Sequence, residues 1–347
     1  MRGRELIFGA IALALLATYA AFGSQLYASV GPTVAATPMP TVPRTELPAP
    51  KVPGTLAFAI QGDVFVIRDG LMNHQTAEGR NQQPALSLDG RVVLFARRGL
   101  IDGRSRLATG QIVNAQLGFS DIVSKSSSGG QETLLVPGLR ARNNASGFHQ
   151  VSWYLSPALS PDGRRLAFIE DDGGGAADLV VMDLGTRRPL VVSQGSDLAD
   201  AAWSPDGRSI VTTSYNTDTP GFVIWAADRA GSGQRLTKLP EGEAYRASYS
   251  PDGKSLVYTL RVGARNDVHV VEIASGRDIA LTTDGKSWNG VMSPDGRWVA
   301  FLREQGGVID LYAMELADAL TGGAAKSAIK LTKGQGIDGA SRPAWAH

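Results

Sequence analysis

From residue 55 onward, hydrophobic residues occur in short runs, and turn-forming residues separate these runs at regular intervals. The runs are rich in Val, Ile, Leu, Tyr and Thr, which is typical of β-strands, and they are too short for ordinary helices. The most regular separator is Ser-Pro-Asp-Gly followed by Arg or Lys, at 160–164, 204–208, 250–254 and 293–297. A degenerate copy, Ser-Leu-Asp-Gly-Arg, occupies 87–91.

The separators repeat with a nearly constant period. Their aspartates are 73, 44, 46 and 43 residues apart along the chain. A period near 44 residues is typical of a four-stranded blade of a β-propeller. The longer spacing between the first two aspartates indicates an insertion, which we place at 99–119 together with 140–147.

The chemistry of the separator predicts a tight turn between antiparallel strands. Proline presets φ, the aspartate side chain accepts hydrogen bonds from backbone N–H groups ahead of it, and glycine adopts the positive φ. Each copy precedes an apolar second strand, a third strand that usually begins with aspartate, and a shorter fourth strand. After 160–164 these three strands are predicted at 166–170, 178–183 and 189–193.

The two ends of the repeat region complement each other. The last seven residues, 341–347, match the first strand of a blade, but no blade follows them. The runs at 55–60 and 63–68 match second and third strands, and no first strand precedes them. We therefore expect the C-terminal strand to join the first blade. The prediction is an all-β, six-bladed propeller with a velcro closure, which leaves no free sheet edge at the junction.

The first residues of the chain have a different pattern. Arg2 and Arg4 precede an unbroken apolar stretch at 6–22, which as a helix would span roughly 25 Å. Positive charge before the stretch predicts that residues 1–5 stay in the cytoplasm while the rest of the chain crosses the membrane. We favour an uncleaved transmembrane signal anchor. A signal peptide cut near the small residues of 21–23, which would give a secreted propeller, is the alternative.

Between the apolar stretch and the first strand, prolines are dense. Seven of them lie between residues 31 and 53. Proline at this density disfavours helix and sheet and favours extended polyproline II. We predict that 23–53 is a proline-rich linker and that 54–347 is the propeller.

Composition and motifs narrow the function. The 34 basic and 33 acidic residues give a net charge of +1, so nothing favours a nucleic-acid partner. The chain has no cysteine, which excludes disulfides, thiolate metal sites and cysteine nucleophiles. No Gly-x-Ser-x-Gly elbow occurs, and the four histidines have no spacing typical of metal ligands. We therefore expect no metal, no cofactor and no catalytic residue.

The spaced Ser-Pro-Asp-Gly-Arg/Lys copies resemble the WD40-like repeats of the TolB family of β-propellers, over roughly residues 55–347. Similar repeats form the propellers of prolyl and dipeptidyl oligopeptidases. The resemblance implies a six-bladed propeller that takes part in protein–protein interaction at the bacterial envelope. It also implies that a helix and a linker stand in place of the family's N-terminal α/β domain.

One set of aligned positions is polar in every blade. It lies six residues before each turn aspartate, with its equivalent in the closing strand, and comprises Gln83, Ser156, Asp200, Arg246, Asn289 and Arg342. Because innermost strands line the channel of a propeller, these residues predict a polar ring at one channel mouth. Tyr245 and Trp288, one residue earlier, would add apolar contacts, and two arginines against one carboxylate favour an anionic group. The ring is either a site for a ligand or peptide end, or an entrance that is polar because it is solvated.

These observations together predict a membrane-anchored, extracytoplasmic module that binds a protein or peptide partner of the cell envelope. Two alternatives stay open: a protein that binds cell-wall glycan or a small anion, and, less favoured, a propeller hydrolase. Fold alone does not decide among them.

Overall fold

The structure is a computed structural model. It describes residues 47–48, 51–107, 109–173, 177–195, 198–216, 221–228, 233–236, 242–320 and 328–347. The predicted cytoplasmic end, the predicted membrane segment at 6–22 and most of the predicted linker lie outside these residues. Within the described ranges, no helix has the length and apolar character needed to cross a membrane.

The described residues form an all-β propeller of six antiparallel sheets, or blades, as the repeat pattern predicts. Blade 1 contains, from the channel outward, β27 (Ala344–Ala346), β2 (Thr55–Ile60), β3 (Asp63–Arg68), β4 (Leu71–His74) and β1 (Leu47–Pro48). Blade 2 contains β5 (Asn81–Leu86), β6 (Val92–Arg106), β7 (Ile112–Ser126) and β8 (Thr133–Val136). Blade 3 contains β11 (Trp153–Leu159), β12 (Arg165–Asp171), β13 (Ala177–Asp183) and β14 (Pro189–Gly195).

Blades 4 to 6 follow the same order. Blade 4 contains β15 (Ala202–Trp203), β16 (Ser209–Asn216), β17 (Gly221–Asp228) and β18 (Gly233–Arg235). Blade 5 contains β19 (Glu243–Tyr249), β20 (Ser255–Val262), β21 (Arg265–Glu272) and β22 (Asp278–Ala280). Blade 6 contains β23 (Ser287–Met292), β24 (Trp298–Gln305), β25 (Val308–Glu315) and β26 (Ile329–Lys330), with the short helix α1 (Leu316–Leu320) after β25.

The hydrophobic core lies between the blades. The buried apolar residues form six clusters, and each cluster joins two successive blades of the ring. The middle strands are therefore apolar on both faces, as in β24, where Val299, Ala300, Phe301 and Leu302 are all buried. This explains why the second strand of each predicted blade is a continuous hydrophobic run rather than an alternating one.

The Ser-Pro-Asp-Gly segments form the predicted turns. In blade 4, Ser204 Oγ donates to Asp206 Oδ1 at 2.6 Å, and the N–H of Arg208 donates to the same oxygen at 3.0 Å. Gly207 has φ 65°, the left-handed conformation that the turn requires. The bonds from Ser204 and Arg208 lower the pKa of Asp206. This aspartate therefore shapes the turn.

The predicted velcro closure is present. β27 pairs antiparallel with β2, with Leu56 opposite Trp345, and Trp345 Nε1 donates to the carbonyl of Pro53 at 2.6 Å. Gly54 has φ 72°, and a Cβ there would lie 2.1 Å from the carbonyl oxygen of Ala346. Only glycine fits this close approach.

Two segments extend the first blades. Residues 99–119 lengthen the β6–β7 hairpin, which is paired continuously from Val92–Ser126 to Arg106–Ile112. A small sheet of β9 (Leu139–Ala141) and β10 (Gln150–Val151) follows, and the N–H of Arg104 donates to the carbonyl of Gly147 at 2.7 Å. At the other end, β1 pairs with β4 and Val52 is buried in the core. The last residues of the predicted linker thus belong to blade 1.

Candidate functional site

Five of the six predicted ring positions share an uncommon backbone conformation. Their φ values are positive: Gln83 52°, Ser156 50°, Asp200 102°, Arg246 58° and Asn289 56°. The strand register shifts at this point in blades 2, 3, 5 and 6, which marks a β-bulge in each innermost strand. Positive φ is costly for residues other than glycine, and such strain is characteristic of functional and tightly constrained positions.

A relay of hydrogen bonds between blades holds these bulges. The backbone N–H of a ring residue donates to a side chain of the preceding blade. The bonds are Gln83 to Ser341 Oγ at 2.6 Å, Ser156 to Gln83 Oε1 at 2.8 Å, Arg246 to Asp200 Oδ2 at 2.9 Å and Asn289 to Thr259 Oγ1 at 2.9 Å. The side chains of Gln83 and Asp200 therefore have a structural role in joining blades.

The single carboxylate of the ring is already engaged. Asp200 is only 4% exposed, and its Oδ2 also accepts a hydrogen bond from Thr213 Oγ1 at 2.7 Å. Its Oδ1 lies 3.6 Å from Arg246 Nη1, which balances the buried charge.

Arg342 differs from the other ring residues. Its guanidinium reaches across the channel from blade 1 and donates to the backbone carbonyls of Ala201, in blade 4, and Ala247, in blade 5. Burial lowers the pKa of Arg342, while the carboxylate of Asp200 opposes this effect. Arg342 therefore bonds across the channel, and it is the one ring residue without a positive φ.

The face of the propeller that carries the bulges, here called the ring face, has a cavity between blades 5 and 6. This mouth cavity has a volume of about 220 Å³ and is lined by Tyr245, Arg246, Asn266, Trp288, Asn289 and Gly339. It thus brings together four of the eight predicted site residues. Asn266 and Gly339 also line the cavity and were not predicted, and no feature of the sequence marks Gly339, which lies in the loop before the closing strand.

Hydrogen bonds fix the walls of the mouth cavity. Trp288 Nε1 and Asn289 Nδ2 both donate to the carbonyl of Gly339, at 2.8 and 3.1 Å. Tyr245 Oη donates to Asn266 Oδ1, and burial raises the pKa of Tyr245, so its hydroxyl stays neutral. The cavity therefore offers two aromatic walls, a half-buried guanidinium and fixed amides, a combination suited to one side chain or chain end of a polar ligand.

The long hairpin lies on the same face. It connects the second and third strands of blade 2, and its base is level with the bulge because Asn81 pairs with Arg97. The Ser-Pro-Asp-Gly turns lie at the opposite end of the innermost strands, on what we call the turn face. The side chains of Leu100 and Leu107 in the hairpin are 58% and 44% exposed. The ring face therefore has a raised edge beside the channel mouth.

The described part of the chain contains no cluster of side chains suited to bind a metal ion. No three His, Asp or Glu side chains there are close enough together to hold a metal ion.

Comparison with known proteins identifies the family. The family model of the TolB beta propeller domain matches residues 122–327. The chain belongs to this family. The resemblance that the repeats predict is thereby confirmed.

Several relatives by sequence have TolB names, and one, of Bacillus subtilis, is named "Uncharacterized peptidase YuxL" and is 30% identical over 151 residues, covering 32% of this chain and 22% of the relative. A "Protein TolB homolog" of Chlorobium luteolum is 28% identical over 180 residues, which cover 51% of this chain and 38% of the relative. A "Tol-Pal system protein TolB" of Anaeromyxobacter dehalogenans is 35% identical over 103 residues, covering 28% of this chain and 22% of the relative. The matched region spans less than half of the length of these TolB relatives.

Solved TolB structures share the fold. TolB from Acinetobacter baumannii superimposes with a TM-score of 0.62 at 22% identity, covering 84% of this chain and 66% of that one. A putative TolB from Agrobacterium tumefaciens gives a TM-score of 0.60 at 18% identity, covering 84% of this chain and 92% of that one.

Proposed function

We propose that this TolB-family propeller is a module of the bacterial cell envelope that binds a segment of a protein partner at its ring face. The observation that carries the proposal is the mouth cavity between blades 5 and 6. Its walls stand on two left-handed bulges, at Arg246 and Asn289, and both backbone N–H groups are held by side chains of the preceding blade. A site with fixed walls loses little conformational entropy on binding.

The chemistry of the cavity favours a peptide segment. Tyr245 and Trp288 offer rings to an apolar or aromatic side chain, and Arg246 offers a cation beside them. Aromatic residues and arginine are the residue types that contribute most to protein–protein interfaces. The Tol-Pal names of the relatives support a partner in the envelope.

The position in the cell is part of the same proposal. We propose that residues 6–22 anchor the protein in the cytoplasmic membrane and that the proline-rich segment after them places the propeller on the outer side. The support is the sequence pattern: basic residues before an unbroken apolar stretch, then dense prolines.

A pull-down from detergent-solubilised envelope tests the proposal, with the full-length protein as bait. Arg246→Gln and Trp288→Leu should each reduce recovery of the specific partner when equal amounts of folded bait are compared, because both side chains line the mouth cavity. Arg208→Ala is the matched control, because this arginine is 85% exposed on the turn face. Equal recovery with all variants would contradict a peptide site at the mouth cavity. Recovery of cell-wall fragments in place of a protein would favour the glycan alternative.

A further inference from the structure

The channel contains a second cavity, on the turn face. This channel cavity has a volume of about 490 Å³, and residues from all six blades line it. Its walls are mostly apolar and include Trp203, Tyr249 and Trp345, together with prolines of the innermost strands and turns. A volume of this size is in the range of specific ligand sites, roughly 300–1,000 Å³.

Arg342 forms the inner end of the channel cavity. It is the one charged residue among the innermost-strand positions that line the cavity within the described part of the chain, apart from His347 at the mouth. Two of its five N–H donors are used, on the carbonyls of Ala201 and Ala247. No carboxylate of the described residues forms an ion pair with it, since Asp200 pairs with Arg246.

A cation in this position favours an anionic ligand. A partly buried guanidinium whose hydrogen bonds go only to neutral carbonyls is stabilised by a carboxylate, to which its remaining N–H groups can donate. Burial and the charge of Arg246 lower the pKa of Arg342, and the carboxylate of Asp200 offsets only part of this effect. The apolar walls in turn favour a ligand with an apolar body.

The walls of the channel cavity also indicate whether the apolar part of the ligand is a peptide or an acyl chain. Ser248 lies on the wall, and among the described residues its hydroxyl makes one long hydrogen bond, at 3.4 Å, to the carbonyl of Gly290. A hydroxyl there can also accept a hydrogen bond from an amide group of a peptide, whereas an acyl chain offers it none. Proline and aromatic rings are surfaces on which extended peptides dock.

We propose that the channel cavity binds the C-terminus of a peptide, with its carboxylate on Arg342 and its last apolar side chains against the walls. The site faces away from the mouth cavity, so it is independent of the function proposed above.

Fluorescence anisotropy with a labelled tetrapeptide, Ala-Pro-Leu-Leu, tests this site on the full-length protein in detergent. The free acid should bind about tenfold more tightly than the C-terminal amide, because only the acid forms a charge-assisted bond with Arg342. Arg342→Gln should remove this difference. Equal binding of acid and amide, or no binding of either, would overturn the proposal.

A second pair of variants keeps the test valid if Arg342→Gln does not fold. Leu88 lines the channel cavity and is 57% exposed. Leu88→Glu should therefore weaken binding of the free-acid peptide by charge repulsion while leaving folding intact. Leu190, also 57% exposed but on the outer strand of blade 3, provides the control Leu190→Glu. Equal effects of the two changes would overturn the site. Octanoate is the third arm, and its displacement of the peptide at equal concentration would overturn the assignment of a peptide.

Discussion

The guanidinium of Arg342 and the carbonyl oxygen of Ala201 meet across the channel, 3.1 Å apart. Arg342 belongs to the segment that closes the ring in blade 1, and Ala201 lies in blade 4, three blades away. The bond ties the closing segment to the far side of the ring, and both residues line the channel cavity but not the mouth cavity. One propeller thus presents two distinct surfaces along its axis.

Removing the closing strand should strongly destabilise the fold. A chain that ends at Pro343 loses the β2–β27 pairing and the packing of Trp345, a partly buried side chain of the cluster between blades 6 and 1. We expect the Tm to fall by roughly 10 °C. Differential scanning calorimetry measures this, and a Tm equal to that of the full chain would contradict the closure.

The strain of the bulges predicts the effect of a glycine in the ring. Ser156 has φ 50°, a left-handed conformation that glycine adopts without steric cost, so Ser156→Gly should relieve strain. We expect a stabilisation of about 1 kcal/mol. The matched variant Ser156→Val should destabilise, since β-branched residues tolerate positive φ least. Urea unfolding of both variants checks the sign, and a less stable glycine variant would show that the backbone is not strained.

The blades were predictable because their determinants are local. The Asp206 turn follows from the residues of the turn itself, and the continuous apolar runs follow from packing between two neighbours. The closure was predictable from an unmatched strand at each end of the repeat. These features need no knowledge of distant contacts.

The bulges were not predictable, because their support comes from another blade. Asp200 and Asn289 are residue types that tolerate positive φ, but Gln83 and Arg246 are not. Their N–H groups are held by side chains 258 and 46 residues away in the chain. The polar character of the ring was predictable, because it follows from the residue at one position of each repeat. The different role of Arg342 was not predictable, because its bonds go to distant blades.

The ion pair of Asp310 with Lys330 should make stability depend on acid pH. Burial raises the pKa of Asp310, but bonds from Lys330 and Thr332 outweigh it, and the net pKa is lowered from 3.8. A lowered folded-state pKa stabilises the fold above the unfolded value, and this contribution is lost as the pH falls. Asp310→Asn should therefore cost about 1–3 kcal/mol at pH 7, and the cost should shrink as the pH falls below 4. A cost that does not change with pH would contradict this.

Asp338 should behave in the opposite way. Burial raises its pKa above 3.8, although the backbone N–H of Gly62 donates to it at 3.0 Å. A raised folded-state pKa stabilises only below the unfolded value and is lost as the pH rises. Asp338→Asn should therefore raise the Tm at pH 7 relative to the native chain and have little effect at pH 3. Thermal melts at both pH values test this, and a gain at pH 3 alone would contradict it.

We propose that the partner docks on the ring face, beside the cavity of Tyr245, Arg246 and Trp288. The most direct measurement is photo-crosslinking in cells, with a photoreactive amino acid placed either at Arg265 or at Arg208. Arg265 is 61% exposed and directly precedes Asn266, which lines the mouth cavity, and Arg208 is 85% exposed on the turn face. We predict a specific protein adduct from position 265 and expect Trp288→Leu to reduce its yield. An adduct from position 208 with none from position 265 would contradict it.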